Sequence, residues 1–508
     1  MKKISSNIKP LISKIIFSFL IIIGFLYRIY GLNNNHSFWT DENHVAIFAR
    51  AILERGKPIL LNDYSTDTYQ WLQYWLSAIS ARIFGLNEFA IRFPSVIFGI
   101  LTIWAVYLLA KELFDKNVAL LSAFLITFSK IEILWSRQAR PYQALQLFFI
   151  LGAWFLYKLT KEEKFNWRYS LGFLCCSIFA SLMHGLGVVI FFIGFIYFLI
   201  FKASWFKKKW MLLGVFLFVL FSWVFKIQIF SIVSRIGDAN TLFYYRIFLT
   251  HNYLPLCILT FLGFFLLFRQ KNYRELVLFF IFLGGQLIID SFLIGKTFVR
   301  YFYPTFPFLI LLSAFSLLEI SKYFVSFLER PKYLVLFIKY IVLFILVFLV
   351  MNFGYKFTFW PQQSYSLNED MQEIPEVDWK KIYNFVGEKL NNNHDSILIA
   401  NWNDLPIWYL GEGSLDYLLR EENPFTKNTF IGIQDTLSES KLIFNLTEMK
   451  RIITKEKRGL VVIDSWDDRI PDGVREYIKN NLKKELEIDR LYSIQPRYWP
   501  VEVYSWGF

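Results

Sequence analysis

Long apolar runs separated by shorter polar stretches dominate this chain of 508 residues. A helix needs roughly 20 consecutive apolar residues to cross the hydrocarbon core of a bilayer, and about eleven runs approach that length. The pattern predicts membrane-spanning helices at about 15–30, 94–110, 118–136, 142–157, 169–183, 185–201, 210–226, 253–268, 275–295, 303–320 and 333–351. The first run lacks a small-residue cleavage site, so we interpret it as a retained helix rather than a signal peptide.

Basic residues gather in alternate loops between these runs. Such residues keep short loops on the cytoplasmic side of a membrane. The clusters are Lys111 and Lys116; Lys158, Lys161, Lys164 and Arg168; Lys202, Lys207, Lys208 and Lys209; Arg269, Lys271 and Arg274; and Lys322, Arg330 and Lys332. The alternation predicts a multi-pass protein of the cell (inner) membrane with a cytoplasmic N-terminus. Because the number of spans is odd, the C-terminal region is expected on the extracytoplasmic side.

Two polar stretches are too long to be simple turns. The first outer loop, 31–92, contains two helix-like segments, Asn43–Glu54 and Tyr69–Phe84. The second has an apolar, aromatic side typical of a helix at the membrane interface. In the tail, 352–508, a predicted helix (Trp379–Leu390) precedes one of two buried-strand patterns, Ser396–Ala400 and Gly459–Asp464. We therefore predict a membrane domain over 1–351 and a small α/β domain over 352–508.

Composition and charge agree with a membrane protein whose tail is soluble. Aromatic residues make up 20% of the chain, more than a soluble core needs. The tail carries 19 basic and 25 acidic residues, leaving 35 basic against 16 acidic residues in the remainder. This asymmetry indicates contact with a membrane surface rather than with nucleic acid. The 3 cysteines all lie in apolar runs, so neither a disulfide framework nor a cysteine metal site is indicated.

The charges that accompany the apolar runs lie mainly at their outer ends. An ionisable side chain costs about 2.5–3.5 kcal/mol or more at the bilayer centre, so those that occur usually serve a site. They are Glu132, Arg137 and Arg140 at the outer end of the third run and in the turn after it, Asp290, Lys296 and Arg300 at the outer end of the ninth, and Asp41 and Glu42 after the first.

Asp41 and Glu42 stand in the segment Phe38-Trp39-Thr40-Asp41-Glu42-Asn43. One interpretation is helix capping, in which Thr40 or Asp41 caps a helix that begins at Asn43. The other is a general base held just above the membrane. A capping position fixes the geometry of a carboxylate, so the two interpretations are compatible.

Two basic clusters are candidates for binding an anion. Arg137 and Arg140 are three residues apart and share one helical face, and Lys296 and Arg300 are four apart. Snorkelling to lipid headgroups competes with this interpretation. The planar guanidinium suits phosphate because it donates two parallel hydrogen bonds. For Arg137 and Arg140 we favour the functional interpretation.

Three further groups have weaker signals. His184 lies in an outer turn, where a structural histidine is the more common case. In the first loop, Asp63 fits turn chemistry, whereas Asp67 and Tyr69 stay open between turn and substrate contacts. The acidic segment 464–468 follows a strand and is expected to be a solvated loop rather than a metal site.

At these residues the chain resembles the lipid-carrier-dependent glycosyltransferases of the C-type fold. It is similar in particular to glycosyltransferase family 39, which includes protein mannosyltransferases and bacterial aminoarabinose transferase-like proteins. The resemblance covers roughly residues 15–320. Its motifs are Phe38-Trp39-Thr40-Asp41-Glu42, Glu88-Phe89-Ala90-Ile91-Arg92-Phe93-Pro94-Ser95, Trp135-Ser136-Arg137-Gln138-Ala139-Arg140-Pro141-Tyr142, His184-Gly185 and Arg300-Tyr301-Phe302-Tyr303-Pro304.

The resemblance implies a polyprenyl-phosphate-linked sugar donor and an acceptor hydroxyl on a lipid, protein or glycan outside the cytoplasm. It implies Asp41 as catalytic base with Glu42 beside it. Donor phosphate contacts are expected from Arg137, Arg140, Arg300 and Lys296, and weaker substrate contacts from His184, Asp67, Tyr69 and Tyr301. The chain departs from the family pattern at Asp67-Thr68-Tyr69-Gln70-Trp71, where many relatives have a His-Pro-Pro-Leu-Tyr-like element.

A glycosyl phosphate already has a good leaving group, so one base and several cations are enough for single-step, inverting transfer. No second carboxylic acid is needed, unlike in glycoside hydrolysis. The alternative is a multi-pass transporter or lipid flippase. Transporters place their binding groups near the midplane, in internally repeated halves, and this chain shows no such halves. No protein-only metal site is visible, and a divalent ion held by carboxylates stays open.

Overall fold

The structure is a computed structural model that describes residues 2–32, 37–65, 70–205, 208–233, 253–292, 299–326, 331–353, 356–362, 377–393, 395–421, 430–431, 434–490 and 499–508. The chain forms two compact units. One contains residues 1–30, 68–72 and 93–365, and the other contains 31–67, 73–92 and 366–508. Most of the first outer loop therefore groups with the C-terminal region, whereas the sequence predicted a single boundary between 351 and 352.

Helices make up the first unit. They are α1 (Lys2–Ile29), α4 (Glu88–Leu113), α5 (Lys116–Phe128), α6 (Lys130–Trp135), α7 (Tyr142–Lys161), α8 (Trp167–Met183), α9 (Val188–Lys202), α10 (Lys208–Val224), α11 (Lys226–Val233), α12 (Leu254–Arg269), α13 (Tyr273–Phe279), α14 (Gly285–Phe292), α15 (Phe306–Ser326) and α16 (Lys332–Asn352). Helices α2 and α3 belong mainly to the other unit, and the first residues of α4 do as well.

The chain is a multi-pass membrane protein, as the sequence predicted, and the described residues of the eleven apolar runs are mainly helical. Among the described residues, six helical segments are long and apolar enough to cross a membrane. They are Leu11–Ile29, Glu88–Leu113, Gly185–Trp205, Tyr273–Phe292, Tyr303–Ser326 and Tyr333–Asn352. Three other apolar helices, α5, α8 and α12, are shorter. The predicted number of eleven spans therefore stays a prediction.

Two of the predicted spans are interrupted by local backbone changes. Between α5 and α6, Ser129 is extended and forms a β-bridge with Phe357, so the third run breaks before its outer end. Between α13 and α14, the π-helical turn Phe280–Gly284 interrupts the ninth run. Such turns occur frequently at functional sites. Both interruptions precede polar side chains that the sequence had singled out, Glu132 and Asp290.

The second unit contains two helices from the first loop and an α/β domain. The helices are α2 (Thr40–Arg55), α3 (Trp71–Phe84), α17 (Trp379–Asn391), α18 (Asp404–Leu410), α19 (Leu446–Lys455) and α20 (Val474–Asn481). The strands are β1 (Ser396–Ala400), β2 (Tyr417–Leu419), β3 (Phe430–Ile431), β4 (Gln434–Asp435), β5 (Lys441–Ile443), β6 (Arg458–Asp464), β7 (Lys483–Ile488) and β8 (Val501–Trp506).

These strands form one mixed sheet in the order β3-β4-β5-β2-β1-β6-β8-β7. The central strands β5, β2, β1 and β6 are parallel, and β8 joins β6 antiparallel. Helix α17 buries Trp379, Ile382 and Val386 on one face of the sheet. On the other face, α19 and α20 bury Met449 and Ile478. The α/β domain predicted from two strand patterns is confirmed.

Helix α3 buries its polar side and exposes its apolar one. Ser77 accepts a hydrogen bond from Gln73 at 3.4 Å and donates one to the carbonyl of Ile91 at 3.1 Å. The side chains of Ile79 and Ile83 are 54% and 69% exposed. An inverted amphipathic helix of this kind fits a lipid environment on its outer side, and the interface position expected from the sequence stays a prediction.

The acidic segment after β6 differs from the solvated loop that the sequence indicated. Asp464 and Asp467 are buried, and each pairs with arginine. Arg490 binds Asp464, and Arg469 Nε donates to Asp467 Oδ1 at 2.6 Å. The arginines come from positions distant in sequence or from the loop itself, so hydropathy alone does not reveal the pairing. The prediction of turn chemistry is confirmed for Asp63, which adopts φ 59° in a tight turn.

Candidate functional site

Helix α2 begins one residue before Asp41, and Glu42 fixes its first turn. The carboxylate of Glu42 accepts a hydrogen bond from the backbone N–H of Trp39 at 3.0 Å. Thr40 is the first helical residue and Trp39 is the N-cap. The prediction that Thr40 or Asp41 would cap a helix from Asn43 was therefore wrong. Glu42 provides the side chain that satisfies the orphan backbone donor of the first turn.

Glu42 also forms a buried ion pair with Arg92. Arg92 Nε and Nη2 donate to the two carboxylate oxygens of Glu42, each at 2.8 Å. Both side chains are fully buried, and Arg92 Nη2 donates further to the carbonyl of Ser37 at 3.2 Å. This bidentate arrangement is the most directional that arginine and carboxylate can form. It leaves Glu42 engaged on both oxygens, next to a half-buried Asp41.

Helix α18 of the α/β domain packs against α2. Arg50 of α2 donates to the carbonyls of Ile407 and Trp408 at 3.1 and 2.8 Å, and its guanidinium lies 4.5 Å from the Trp408 ring. The Trp408 ring lies 5.3 Å from that of Phe38. The cationic side chain of Arg50 thus binds the C-terminal carbonyls of α18, where the helix dipole also favours a positive charge.

The first residue of α18 is Asp404, a carboxylate that the sequence did not single out. Its Oδ1 atom is buried and has no hydrogen-bond partner among the residues that the structure describes. Burial, helped by the negative charge of Asp41, raises the pKa of Asp404 to about 7, while the backbone N–H groups of Asp404 and Leu405 oppose the shift. Asp404 and Asp41 are therefore within electrostatic range of each other.

In the first unit, an aromatic cluster forms where α6, α7 and the residues before α15 meet. Trp135 lies 5.0 Å from Tyr142 and 5.6 Å from Tyr303, measured between ring centroids. Tyr142 lies 5.2 Å from His184 and 6.4 Å from Tyr301. The motifs that carry the family resemblance over residues 135–142, 184–185 and 300–304 therefore meet in space.

Two of the predicted phosphate ligands lie over the rings of tyrosines in this cluster. The guanidinium of Arg140 lies 5.5 Å from the ring of Tyr142, and that of Arg300 lies 5.7 Å from the ring of Tyr301. Arg140 is buried and Arg300 is half-buried. The His184 ring lies 6.2 Å from Tyr301. Arg140 and Arg300, from distant parts of the sequence, thus each lie beside a tyrosine of the same aromatic cluster.

His184 has a structural task in addition to its place in the cluster. Its Nδ1 accepts a hydrogen bond at 3.1 Å from the backbone N–H of Leu186, which begins the 3₁₀ turn Gly185–Gly187. A neutral imidazole that accepts at Nδ1 carries its proton on Nε2. The ring can therefore donate one hydrogen bond from Nε2.

Arg137 lies at the C-terminal end of α1. Its Nη1 donates to the carbonyls of Tyr27 and Tyr30 at 3.3 and 2.5 Å and to the carbonyl of Gln362 at 3.4 Å. A cation at the carbonyl end of a helix is favoured by the helix dipole. At this nitrogen, Arg137 supports the end of α1, a role not foreseen from its motif.

A buried polar network surrounds Glu132, which the sequence marked as an embedded charge without a role. Its carboxylate accepts hydrogen bonds from Gln146 Nε2 and the Tyr303 hydroxyl, both at 2.9 Å. Arg28 is also fully buried and donates to the carbonyl of Gly24 at 3.1 Å. Sequence reasoning missed Arg28, because a basic residue at the end of an apolar run is normally a snorkelling residue.

A second polar group lies at the end of α14. Asp290 Oδ1 accepts a hydrogen bond from Gln286 Nε2 at 2.8 Å, and the same amide lies 3.4 Å from the carbonyl of Tyr301. Asp290 Oδ2, Gln286 Oε1 and Ser291 Oγ are buried, and none has a hydrogen-bond partner in the described part of the chain. The group is connected through Tyr301 to the aromatic cluster. Lys296, Asp67 and Tyr69 lie outside the described residues.

Comparison with known proteins finds a family model that matches the central part of the chain. Residues 71–225 match the family model for dolichyl-phosphate-mannose-protein mannosyltransferase. The resemblance predicted from the sequence motifs is confirmed. A protein of Aquifex aeolicus (strain VF5) is 27% identical over 318 residues, which cover 58% of this chain and 62% of the relative. The chain therefore spans less than two thirds of that relative.

A further relative carries the name of an arabinosyl transferase. The undecaprenyl phosphate-alpha-4-amino-4-deoxy-L-arabinose arabinosyl transferase of Wigglesworthia glossinidia brevipalpis is 31% identical over 122 residues, which cover 23% of this chain and 22% of that protein.

A solved structure shares the fold. The crystal structure of ArnT from Cupriavidus metallidurans in the apo state superposes with a TM-score of 0.61 and 13% identity, covering 96% of this chain and 97% of that chain. The same protein bound to undecaprenyl phosphate superposes with a TM-score of 0.60. The fold of the chain is ArnT-like.

Proposed function

We propose that this chain is a membrane glycosyltransferase that moves a sugar from a polyprenyl-phosphate-linked donor to an acceptor hydroxyl. The family model, the name of the Wigglesworthia relative and the ArnT-like fold support this reading. The undecaprenyl phosphate bound by the Cupriavidus protein supports the class of carrier lipid. Within this proposal, the membrane part has eleven spans of the C-type fold, the N-terminus is cytoplasmic, and the α/β domain is extracytoplasmic.

The observation that carries the proposal is the pair of arginines on the aromatic cluster. Arg140 and Arg300 come from segments 160 residues apart in the chain, yet each guanidinium lies over the ring of a tyrosine of the same cluster. Arginine both packs against aromatic faces and binds phosphate through two parallel hydrogen bonds. We assign Arg140 and Arg300 to the donor phosphate, with the Nε2 proton of His184 as a further donor.

The reaction we propose is a single displacement. The acceptor hydroxyl attacks the anomeric carbon, the bond from that carbon to the phosphate oxygen breaks, and Asp41 takes the hydroxyl proton. The configuration at the anomeric carbon is inverted. The bond electrons leave with the polyprenyl phosphate, whose charge the arginines stabilise. A positioned base contributes about 10²–10⁴-fold to such a step, and a preorganised cation a similar factor.

We assign Glu42 to positioning rather than to proton transfer. Both of its oxygens accept hydrogen bonds from Arg92, and one also accepts from Trp39. A carboxylate held in this way by a guanidinium is a poor proton acceptor. Its effect is to fix the first turn of α2, and with it the direction of Asp41. This assignment replaces the catalytic role that the sequence gave to Glu42.

The test measures release of undecaprenyl phosphate by purified protein in proteoliposomes, with water as the acceptor hydroxyl. The donors are undecaprenyl phosphates carrying mannose, glucose, galactose or 4-amino-4-deoxyarabinose. We expect release from at least one donor. Asp41→Asn should lower the rate by about 100-fold or more, and Arg140→Gln and Arg300→Gln by about 10²-fold each. Arg269→Gln, which changes an exposed arginine of α12, is the matched control and should retain the wild-type rate.

The result also separates this function from the alternative predicted from the sequence. A lipid flippase would move the intact donor across the bilayer and release no undecaprenyl phosphate. Transfer at the wild-type rate by Asp41→Asn would show that this aspartate is not the base. Equal rates for Arg140→Gln, Arg300→Gln and the Arg269→Gln control would contradict the phosphate site.

A further inference from the structure

The buried polar group at the end of α14 has unused hydrogen-bond acceptors. The amide N–H₂ of Gln286 donates to Asp290 Oδ1 and to the carbonyl of Tyr301. The side-chain carbonyl oxygen of Gln286 takes no part in these two hydrogen bonds. Asp290 Oδ2 and Ser291 Oγ are likewise buried without a partner in the described part of the chain. Asp290 is only 1% exposed, and Gln286 and Ser291 are fully buried.

Such an arrangement is unfavourable unless something fills it. A buried polar atom without a partner costs roughly 1–3 kcal/mol, and more when it is charged. Three in one short helix, within an apolar bundle, require an explanation. The π-helical turn Phe280–Gly284 directly precedes these residues, and π-bulges are frequent at functional sites.

The unused atoms share one chemistry. When the aspartate is ionised, Asp290 Oδ2 and Gln286 Oε1 accept hydrogen bonds and cannot donate them. Ser291 Oγ can accept as well as donate. A ligand that satisfies them must supply hydrogen-bond donors close together. Sugar hydroxyls and amino groups do so, whereas a phosphate and a prenyl chain do not.

The position of the group agrees with a sugar ligand. Gln286 Nε2 lies 3.4 Å from the carbonyl oxygen of Tyr301. The guanidinium of Arg300 lies 5.7 Å from the centre of the Tyr301 ring. The acceptor group is therefore one residue away from a proposed phosphate ligand. In a glycosyl phosphate, the sugar is joined directly to the phosphate, so the two subsites must be neighbours.

We propose that Gln286, Asp290 and Ser291 form the subsite that recognises the sugar of the donor, through its hydroxyl or amino groups. This inference rests on the proposed function. Asp290 is the main determinant, because a carboxylate accepts the strongest hydrogen bonds of the three.

The experiment compares binding of bare undecaprenyl phosphate with binding of the four sugar-linked undecaprenyl phosphates, using protein in detergent. We expect the wild type to bind at least one sugar-linked lipid more tightly than the bare lipid. Asp290→Leu should reduce that preference about tenfold or more, while affinity for the bare lipid stays within about twofold. Ser313→Ala is the matched control, because its buried hydroxyl is already satisfied by the carbonyl of Leu256 at 3.0 Å.

A second variant distinguishes the two kinds of sugar donor group. Asp290→Asn keeps an acceptor but removes the charge. If the recognised sugar group is a hydroxyl, Asp290→Asn should keep most of the preference for sugar-linked over bare lipid. If the group is an ammonium, the variant should lose that preference. Either result supports the subsite.

Three results would overturn the inference. They are a wild type without any preference for sugar-linked lipid, an undiminished preference in Asp290→Leu, and an equal loss of bare and sugar-linked lipid in that variant. Failure of the proposed function is distinguishable, because it appears as absence of undecaprenyl phosphate release from every donor in proteoliposomes, whereas failure of the subsite appears in this binding experiment. Loss of transfer in Asp41→Asn together with an unchanged preference in Asp290→Leu would leave the function standing and remove only the sugar subsite.

Discussion

The ion pair between Glu42 and Arg92 offers the sharpest test of how the first loop is held. Both side chains are fully buried, and the two hydrogen bonds between them are 2.8 Å long. Glu42→Leu leaves a buried guanidinium without its counter-ion. Breaking a buried pair by removing one partner costs about 3–5 kcal/mol. At about 2–4 °C per kcal/mol for a domain of 150–250 residues, the midpoint of thermal unfolding should fall by about 6–20 °C.

The double variant separates the charge from the rest of the interaction. Glu42→Leu/Arg92→Met removes both charges, and a buried pair replaced by apolar residues is often close to neutral. The backbone N–H of Trp39 and the carbonyl of Ser37 still lose a partner, which costs about 1–3 kcal/mol each. We therefore expect the double variant to be more stable than either single variant, yet less stable than the wild type.

The measurement is thermal unfolding of the purified protein in detergent, followed by tryptophan fluorescence. Glu54→Leu is the matched control on the same helix, because Glu54 is 50% exposed and lies 3.5 Å from Arg55. Exposed pairs contribute about 0–1 kcal/mol. If Glu42→Leu loses no more stability than Glu54→Leu, or if the double variant loses the sum of the two single losses, the reasoning is refuted.

Three other predictions follow from single features of the structure. The pKa of Asp404 is about 7 in the folded protein, whereas that of a free aspartate is about 3.9. Between about pH 4 and pH 7, Asp404 is therefore more protonated in the folded state than in the unfolded state. The stability that this group contributes is lost as the pH rises through that range. Asp404→Asn should raise the unfolding midpoint at pH 8 and change it little at pH 4, and an equal effect at both pH values would contradict this. Trp71 on the apolar side of α3 is 42% exposed, so phospholipids with brominated chains should quench tryptophan fluorescence less in Trp71→Phe than in the wild type; equal quenching would place α3 away from lipid. Gly99→Ala would bring a Cβ within 2.5 Å of Ser136 Cβ and 2.8 Å of Arg28 Nε, an overpacking that costs about 1–3 kcal/mol. Gly285→Ala, whose Cβ would meet its nearest atom at 3.6 Å, is its control, and equal midpoints for the two variants would argue against this packing.

Hydropathy was sufficient to predict the helices, because each apolar run must satisfy its own backbone hydrogen bonds in a bilayer. It did not predict how they are interrupted. The extended residue Ser129 pairs with Phe357, more than 200 residues later in the chain. The sheet was also only partly visible. Strand β1 occurs with the predicted bounds, whereas β7, with the sequence Lys-Lys-Glu-Leu-Glu-Ile, is too polar to resemble a buried strand.

Residue types and spacing indicated part of the candidate site. Arg140, Arg300 and His184 were singled out by their positions at helix ends, and the structure brings them to one aromatic cluster. The partners of Glu42 and the environment of Asp404 could not be foreseen, since they depend on contacts between segments 50 and more than 300 residues apart. Arg28 was missed for the same reason, as its burial depends on α4 and α5 packing around the end of α1.

The split composition of the second compact unit has a consequence for biosynthesis. Residues 31–67 and 73–92 leave the ribosome long before their partners in 366–508. At roughly 5–20 residues per second, the first loop waits about 15–60 s before Trp408 and Tyr409 are available to cover Phe38. During that interval, its apolar surface and the charge of Arg50 lack the α18 contacts of the finished protein. We expect this loop to be the segment of the newly made chain that most depends on chaperones.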